Sequence, residues 1–357
     1  MMNQRKKFVV TTVLASVILI LVAYLSIDET ASWYDENQYY RELQELSLGE
    51  KPTMRFLSTN PTSGSPRMRG GHFINAWQEM KSNHFYVFPR VTSCTEKKCS
   101  DVCVYVGPCH NANKSCCKIE VLDMVDKYLY KTKTIDATLH LYDALVVNSE
   151  YMKEFFRAEP RNYTGQILVL PHHSDPRLTG VETVPNEARH GKLQFGFMGS
   201  IPSLKHTDNF LHLKELKQRF PISLVDTDQG DIPPVVDHQM DVSIRPQGSL
   251  VSKFKTSAKL ATAATLGHNI ITTWEAAVRD SLPPDYPYIL RNDTLDAAVQ
   301  MFELSARDYE GDRVLWKKGL DMLKQVDRSL SLPNLASTYQ DFLSNLALVG
   351  VEMSEAS

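Results

Sequence analysis

The sequence has 357 residues, of which 43% are hydrophobic and 23% are charged, and its formal net charge is -3. This length allows two α/β domains of roughly 130–150 residues, each with its own core. The near-neutral charge gives no electrostatic case for a nucleic-acid partner, which usually requires a basic surface. The chain shows no internal repeat and no low-complexity tract.

The N-terminus has the pattern of a type II signal anchor, since basic residues 5–7 precede an uncharged run at 8–25. At about 1.5 Å per residue this run spans about 27 Å, close to one hydrocarbon core, and the positive flank favours a cytoplasmic N-terminus. The alternative is a cleaved signal peptide, whose apolar stretch is normally about 7–15 residues. We therefore predict a cytoplasmic tail (1–7), an anchor in the lipid bilayer (8–27) and a stem (28–53).

All six cysteines lie in the segment 94–117. An even number of closely spaced cysteines in a secretory context predicts three disulfides, whose connectivity stays open. Zinc is the alternative, because Cys99, Cys103 and Cys109 with His110 offer soft ligands, although no CxxC spacing is present. The predicted disulfide cysteines are Cys94, Cys99, Cys103, Cys109, Cys116 and Cys117.

Three N-glycosylation sequons begin at Asn113, Asn162 and Asn292. Glycosylation of such triplets occurs in the secretory pathway, so they agree with the anchor and the disulfides. Together the three features predict a single-pass protein of the Golgi or endoplasmic reticulum membrane whose folded region is luminal.

Predicted strands alternate with predicted helices in each half of the chain. In the first half we expect strands at 54–58, 85–88, 102–106, 120–126, 144–148 and 167–170, and helices at 72–81 and 150–156. In the second half we expect strands at 193–198, 222–225, 241–244, 269–272 and 288–290, and helices at 208–220, 257–266, 294–306, 313–328 and 334–348.

This alternation predicts an α/β fold with two doubly wound, Rossmann-like domains. A polar stretch broken by prolines at 174–191 separates them. The N-terminal domain then spans 54–185, with the cysteine-rich insertion 94–117, and the C-terminal domain with its terminal helices spans 186–349. Ligands of such sheets bind outside the carboxyl ends of the strands, so the cleft between the domains is the expected site.

Four stretches of the second half follow one another in a recognisable order: a strand ending at Gly199-Ser200, the strand at 241–246, a lysine-rich loop with an alanine-rich helix at 255–271, and a helical tail with Leu335-Ala336 and Tyr339. In that order they resemble the donor-binding domain of glycosyltransferases with the GT-B-type, two-Rossmann fold. The first half, through 65–71 and 146–149, resembles the acceptor domain of the same enzymes. The resemblance covers roughly residues 54–349.

The resemblance implies transfer of a sugar from a nucleotide-sugar donor to a glycan, glycoprotein or glycolipid acceptor, without a metal or other cofactor. In such enzymes helix N-termini and basic side chains neutralise the diphosphate of the donor. Basic residues around the start of the alanine-rich helix suit this role, although each lysine alone is equally well explained as a solvated charge. The predicted donor-binding residues are Gly199, Ser200, Arg245, Lys253, Lys255, Lys259 and Thr262.

Thr262 departs from the pattern of the family. Many retaining members have a glutamate at this position, five residues before the helix-ending Gly267, and it holds the ribose of the donor. A threonine can still form a hydrogen bond, but the bidentate grip of a carboxylate is lost. The departure leaves a second hypothesis open, a non-catalytic luminal binding protein with the same fold.

Candidate residues of the first half lie near the expected cleft. Glycines before a helix leave room for a ligand and nearby arginines can meet an anion, while an ordinary solvated loop is the alternative. A histidine at the head of the helix and an aspartate after a strand are candidate general bases, with surface placement and capping as alternatives. The predicted acceptor or anion side is Arg67, Arg69, Gly70 and Gly71, and the predicted catalytic residues are His72 and Asp126; His172 and His173 either line the cleft or are inert.

Overall fold

The computed structural model describes residues 51–61, 64–81, 84–94, 100–107, 109, 117–124, 138–183, 191–201, 204, 210–227 and 235–355. Within this part of the chain, no helix is long and apolar enough to cross a membrane. The predicted tail and anchor, most of the stem, Asp126, Asn113, Cys99 and Cys116 lie outside the described residues. The unit that contains both sheets begins at Thr53.

Short apolar runs form the first sheet, in which every strand pair is parallel. All residues of Val102–Val106 are buried, as expected for a strand covered on both faces. The order is β2-β1-β4-β5-β6-β7, and β3 also pairs with β1. We call this sheet and the helices packed on it the first lobe. Its strands are β1 (Thr53–Ser58), β2 (Tyr86–Val87), β3 (Thr92–Ser93), β4 (Val102–Val106), β5 (Ile119–Asp123), β6 (Ala144–Val147) and β7 (Gln166–Val169).

A second parallel sheet, with the order β10-β9-β12-β13-β14, forms the second lobe. The direction of winding reverses between β9 and β12, which makes their junction the switch point of the sheet. Two further strands pair in parallel as a ribbon, β8 (Glu182–Thr183) with β11 (Val235–Val236). The strands of the second sheet are β9 (Phe195–Gly199), β10 (Ile222–Asp226), β12 (Met240–Ser243), β13 (Asn269–Thr273) and β14 (Ile289–Leu290). The predicted α/β class with two parallel sheets is confirmed.

The main helices have local sequence causes. Ser149 caps α2 by accepting a hydrogen bond from the N–H of Met152 at 3.3 Å, and Gly267 ends α5 with a φ of 67°, both as expected. The helix predicted at 208–220 is shorter, because His212 has a left-handed φ of 61° directly before it. The helices are α1 (His72–Glu79), α2 (Glu150–Arg157), α3 (Leu213–Lys217), α4 (Leu250–Phe254), α5 (Ala258–Leu266), α6 (Ala276–Ser281), α7 (Leu295–Glu310), α8 (Val314–Ser329) and α9 (Leu332–Glu355).

The last helix, α9, packs against the first lobe. Its side chains Tyr339 and Leu343 belong to the apolar core of the first sheet, and the indole N–H of Trp77 in α1 donates to the carbonyl of Ala336 at 2.8 Å. The prediction that groups the terminal helices with the domain 186–349 is therefore wrong for α9. Periodicity shows that a helix has an apolar face, but it does not show which sheet covers that face.

Replacing Leu343 with alanine should destabilise the first lobe. Leu343 is fully buried, and such a truncation typically costs about 2–5 kcal/mol through lost transfer free energy and a residual cavity. Hydrogen exchange measured by mass spectrometry should accelerate in β1 and β4 more than in β9 and β13. Leu141→Ala, at a residue that is 41% exposed, is the matched control. Equal loss of protection in both lobes would contradict the placement of α9.

Two disulfides are present in the described part of the cysteine-rich segment. Cys94 pairs with Cys109 and Cys103 pairs with Cys117, with Cα–Cα distances of 6.1 and 5.9 Å. These distances suit a disulfide. The zinc alternative is therefore wrong for these four cysteines, and a third disulfide stays a prediction.

Candidate functional site

The carboxyl edge of the second sheet brings several predicted donor-site residues together. Gly199 ends β9, Arg245 follows β12, and Ser257 is the N-cap residue of α5. The strands β9 and β12 flank the switch point, where doubly wound sheets bind their ligands. The arrangement therefore has the position expected of a nucleotide site.

Lys259, in the first turn of α5, reaches the end of β9. Its ammonium group donates a hydrogen bond to the carbonyl of Met198 and lies 3.9 Å from the centroid of the Phe197 ring, a cation–π contact. A Cβ atom at position 199 would collide with this ammonium group, so Gly199 is needed for the position of the lysine. A cation is thus held at the switch point.

Arg245 is buried and forms an ion pair with Glu275, which follows β13 and is 3% exposed. Thr273 joins the two, because its hydroxyl donates to Glu275 at 3.2 Å and accepts from the backbone N–H of Arg245 at 3.1 Å. Burial raises the pKa of Glu275, and the guanidinium group opposes that shift. The Nε atom of Arg245 is buried and has no hydrogen-bond partner among the described residues, so it is a candidate donor to a ligand.

The other predicted donor residues have different surroundings. The hydroxyl of Ser257, which the sequence did not single out, is buried and has no partner in the part of the chain that the structure describes. Lys255 lies close enough to Glu275 to lower its pKa, so its charge belongs to the same edge. Ser200 and Thr262 are partly buried, and the role predicted for them stays a prediction.

The lobes contact each other through α4, directly before the lysine-rich loop. Phe254 lies in the apolar core of the first lobe, 4.8 Å from the ring of Phe155, and its carbonyl accepts from the side-chain amide of Asn148 at 3.0 Å. The ammonium group of Lys253 lies 5.9 Å from the ring centroid of Tyr151 in α2. Lys253 is therefore at the contact between the lobes.

Arg69 lies inside the first lobe. Its Nε atom donates to both carboxylate oxygens of Asp123 at 3.1 Å, and its Nη1 atom donates to the carbonyls of Leu170 and Pro171 at 3.1 Å. Most of its guanidinium group is thus used to join three segments of the lobe. A contact with an anion is limited to Nη2, which has no hydrogen-bond partner within the described ranges.

Gly70 and Gly71 differ in the space around their Cα atoms. A Cβ atom at Gly70 would lie 2.5 Å from Cγ2 of Val91 and 3.4 Å from the ring of Phe56. The glycine is therefore required by packing against the first sheet, which corrects the expectation that it leaves room for a ligand. A Cβ atom at Gly71 would meet no atom within 4 Å among those described.

A series of contacts connects the first-lobe edge to the end of β9. Asp175 forms ion pairs with Arg67 at 3.8 Å and with Arg177 at 2.6 Å. Arg177 donates to the carbonyl of Thr227 at 3.1 Å, and the N–H of Thr227 donates to the carbonyl of Gly199 at 3.3 Å. This series of contacts therefore connects the predicted acceptor side with the predicted donor side.

His72, the first residue of α1, lies at the same edge as Arg67. Its ring centroid is 5.3 Å from that of His173. Burial, and then the neighbouring His173, lower the pKa of His72 to about 4. It is therefore neutral at ordinary pH and able to accept a proton, but weakly basic. Its catalytic role stays a prediction.

Within the described residues, one group of three side chains has the character of metal ligands: His238, Asp241 and His268, all buried. Asp241 contacts His268 Nδ1 at 2.9 Å and His238 Nε2 at 3.3 Å. Burial raises the pKa of Asp241, but the two imidazoles outweigh it and hold that pKa far below its ordinary range. The histidines precede β12 and β13, so the group lies away from the carboxyl edge that holds Arg245.

The sequence analysis missed several residues that the structure places near the predicted donor and acceptor residues, namely Glu275, Ser257, Asp175 and Arg177. A signal existed for Glu275, since it directly follows a buried strand. Asp175 and Arg177 lie in the stretch treated as a boundary, where nothing in the local pattern marks a site.

Comparison with solved structures finds chains of similar fold. The Anabaena protein HepE, in complex with UDP-glucose, matches with a TM-score of 0.55 at 8% identity, over 82% of this chain and 100% of that chain. A glycosyltransferase from Rickettsia africae matches with a TM-score of 0.49 at 10% identity, over 83% and 99% of the two chains. The match to the GtfA/B complex has a TM-score of 0.44 at 11% identity, over 69% of this chain and 57% of that one.

No protein-family model and no curated protein matches the sequence. At the identity of the HepE match, the likeness shows the fold alone. The chain therefore has an α/β, Rossmann-like fold with parallel sheets, similar to that of HepE, as the sequence predicted.

Proposed function

We propose that the chain is a glycosyltransferase whose nucleotide-sugar donor binds at the carboxyl edge of the second sheet. The observation that carries the proposal is the ammonium group of Lys259, held against the end of β9 beside Gly199. Fixed cations and helix N-termini stabilise the diphosphate that leaves in sugar transfer. HepE, a protein of similar fold, was solved in complex with UDP-glucose, so a uridine nucleotide is the first donor to test.

The donor has further partners at this edge. The unpaired Nε of Arg245 and hydroxyl of Ser257 supply hydrogen bonds to the nucleotide or its sugar, and Lys255 adds positive charge. These groups neutralise the diphosphate without a metal ion. On the opposite side of the cleft, His72 is the candidate base for the acceptor hydroxyl.

The proposed setting is the lumen of the Golgi or endoplasmic reticulum, with a type II anchor at 8–27 and a glycan, glycoprotein or glycolipid acceptor. Two disulfides support an oxidising compartment. Asn162 and Asn292 are exposed, as an acceptor of N-glycosylation must be.

A non-catalytic luminal binding protein is the second candidate. Thr262 replaces the glutamate of the family, and Glu275, a carboxylate at the same edge, is paired with Arg245. If no carboxylate holds the donor ribose, the site would bind a nucleotide without orienting its sugar for transfer. Release of free sugar from UDP-glucose would favour the glycosyltransferase. Nucleotide binding without such release would favour the binding protein.

Calorimetric titration of the full chain with UDP and UDP-glucose tests the proposal. We expect saturable binding with a dissociation constant below about 1 mM, the upper end of the range of ordinary KM values. Gly199→Ala should weaken it strongly, because the new methyl group would collide with the ammonium group of Lys259 and position 199 has a φ of 156°, which residues with a side chain rarely adopt; a thermal melt checks the fold. Gly64→Ala, where no described atom lies within 4 Å of the added Cβ, is the control. Absence of binding by UDP and GDP at millimolar concentration would overturn the proposal.

A further inference from the structure

The carboxyl edge of the first sheet holds four buried polar atoms that have no hydrogen-bond partner among the described residues. They are Arg67 Nε, Arg69 Nη2, His72 Nδ1 and His172 Nδ1. Arg69 is 2% exposed and His172 is 6% exposed, whereas Arg67 and His72 are partly open to solvent. Buried polar groups in folded proteins are normally paired. Four unpaired atoms in one place therefore indicate a ligand.

These groups lie within reach of one another. His172 interacts electrostatically with Arg69, His173 and His72, and His72 interacts with Arg67. The ring of His173 lies between the other two, with its centroid 5.3 Å from that of His72 and 5.7 Å from that of His172. We call Arg67, Arg69, His72, His172 and His173 the arginine–histidine cluster.

The unpaired atoms determine which chemistry fits. Arginine N–H groups only donate hydrogen bonds, and a neutral imidazole donates through the nitrogen that carries its proton, so a ligand that offers acceptors can meet all four atoms. Arg69 forms an ion pair with Asp123 and Arg67 forms one with Asp175, yet each arginine keeps one N–H group without a partner among the described residues. Tyr339 donates to Asp123 and is kept neutral by burial, which raises its pKa.

His173 adds a second reason. Its Nδ1 atom faces the carbonyl of Ser174 at 2.5 Å and its Nε2 atom faces the carbonyl of Met68 at 2.8 Å. Carbonyl oxygens only accept, so only the doubly protonated ring donates to both. Burial, with Arg69, lowers the pKa of His173, although both carbonyls and Asp175 oppose that shift. A nearby anion would favour the protonated ring.

We propose that the arginine–histidine cluster binds an oxyanion carried by the acceptor, such as the phosphate or carboxylate of an acidic sugar. That the oxyanion belongs to an acceptor rests on the proposed function. The anion site itself is supported only by side chains of the first lobe. The donor diphosphate has its own cations in the second lobe, Lys255 and Lys259. An anion held across the cleft would orient the rest of the acceptor towards the donor.

Titration of the full chain with inorganic sulfate and phosphate tests the site. Arg67→Met should weaken sulfate affinity about tenfold, because one charged donor is lost. Arg67 is 38% exposed, so the variant should fold, which a thermal melt checks. Arg219→Met, at an exposed arginine of the second lobe, is the control and should bind like the unmodified chain. Equal affinity in Arg67→Met would overturn the proposal.

The titration is repeated with saturating UDP to separate the two sources of an anion. Persistence of sulfate binding supports an acceptor site, and one-for-one displacement by UDP would overturn it in favour of the donor diphosphate. Glucose 6-phosphate and glucuronate then identify the acidic group, with glucose as the neutral control; binding of glucose as tight as that of both acids would also overturn the proposal. If UDP does not bind at all, the donor proposal fails, and the Arg67 comparison alone decides the anion site.

The pH dependence is measured with sulfate, because phosphate itself titrates in this range. Uptake of one proton by the cluster should raise affinity as pH falls from 8 to 6, by up to tenfold per pH unit. If His173 is the residue that takes up the proton, His72→Asn should show the same dependence of sulfate affinity on pH as the unmodified chain. A flat profile would contradict binding to a protonated histidine.

Discussion

Replacing Lys259 with methionine should lower the affinity for UDP about ten- to a hundredfold. A hydrogen bond to a charged group contributes about 1.5–3 kcal/mol, and each 1.4 kcal/mol is a factor of ten in affinity. The methionine keeps the contact with the ring of Phe197 but loses the hydrogen bond to the carbonyl of Met198, so the free energy of unfolding should fall by about 1 kcal/mol. Calorimetric titration with UDP measures the affinity, and a urea melt checks the fold.

Lys214→Met is the matched control for this result. Lys214 is exposed in α3 of the same lobe, so its loss changes the net charge of the chain equally without touching the switch point. The two variants should differ by at least tenfold in UDP affinity. Equal affinities would mean that the ammonium group at the end of β9 does not meet a diphosphate.

Replacing Arg69 with methionine should destabilise the first lobe by about 3–5 kcal/mol, the usual cost of leaving a buried charge without its partner. Asp123 would lose two hydrogen bonds from Arg69 and keep one contact, from Tyr339. Chemical denaturation followed by hydrogen exchange in β5 and β7 measures the loss. Exchange in β10 should change less.

The exposed pair Lys324 and Asp321, with side chains 69% and 70% exposed, provides the comparison. Lys324→Met should have little effect, because exposed ion pairs contribute little to stability. The double replacement Arg69→Met with Asp123→Leu should recover part of the loss, since no uncompensated charge then remains. If the double variant is less stable than Arg69→Met, the buried carboxylate is not the cause.

The local sequence pattern was sufficient to predict the strands and the helix that form the proposed donor site. The apolar runs that become β9, β12 and β13 are continuous, as expected for strands covered on both faces. Alanine-rich sequence followed by Gly267 predicts a helix and its end, and α5 begins and ends close to those limits. The positions of Gly199, Arg245 and Lys259 at one edge then follow from the parallel arrangement.

Contacts between distant segments were not predictable in the same way. Arg69 and Arg67 look alike in the sequence, yet one is buried against Asp123 and the other is partly exposed. Nothing local in α4 indicates that Phe254 enters the core of the other lobe. A side chain's partner depends on which elements pack together, and periodicity reports only which face is apolar.

By itself, the sequence determined the α/β class, the two parallel sheets and the basic residues around one helix start, because strand burial and helix ends depend on neighbouring residues. Only the tertiary structure decided that α9 covers the first sheet, that Glu275 pairs with Arg245, and that three histidines and two arginines meet at one edge. Those outcomes join residues far apart in the chain, so they depend on packing and burial of charge, which no local pattern encodes.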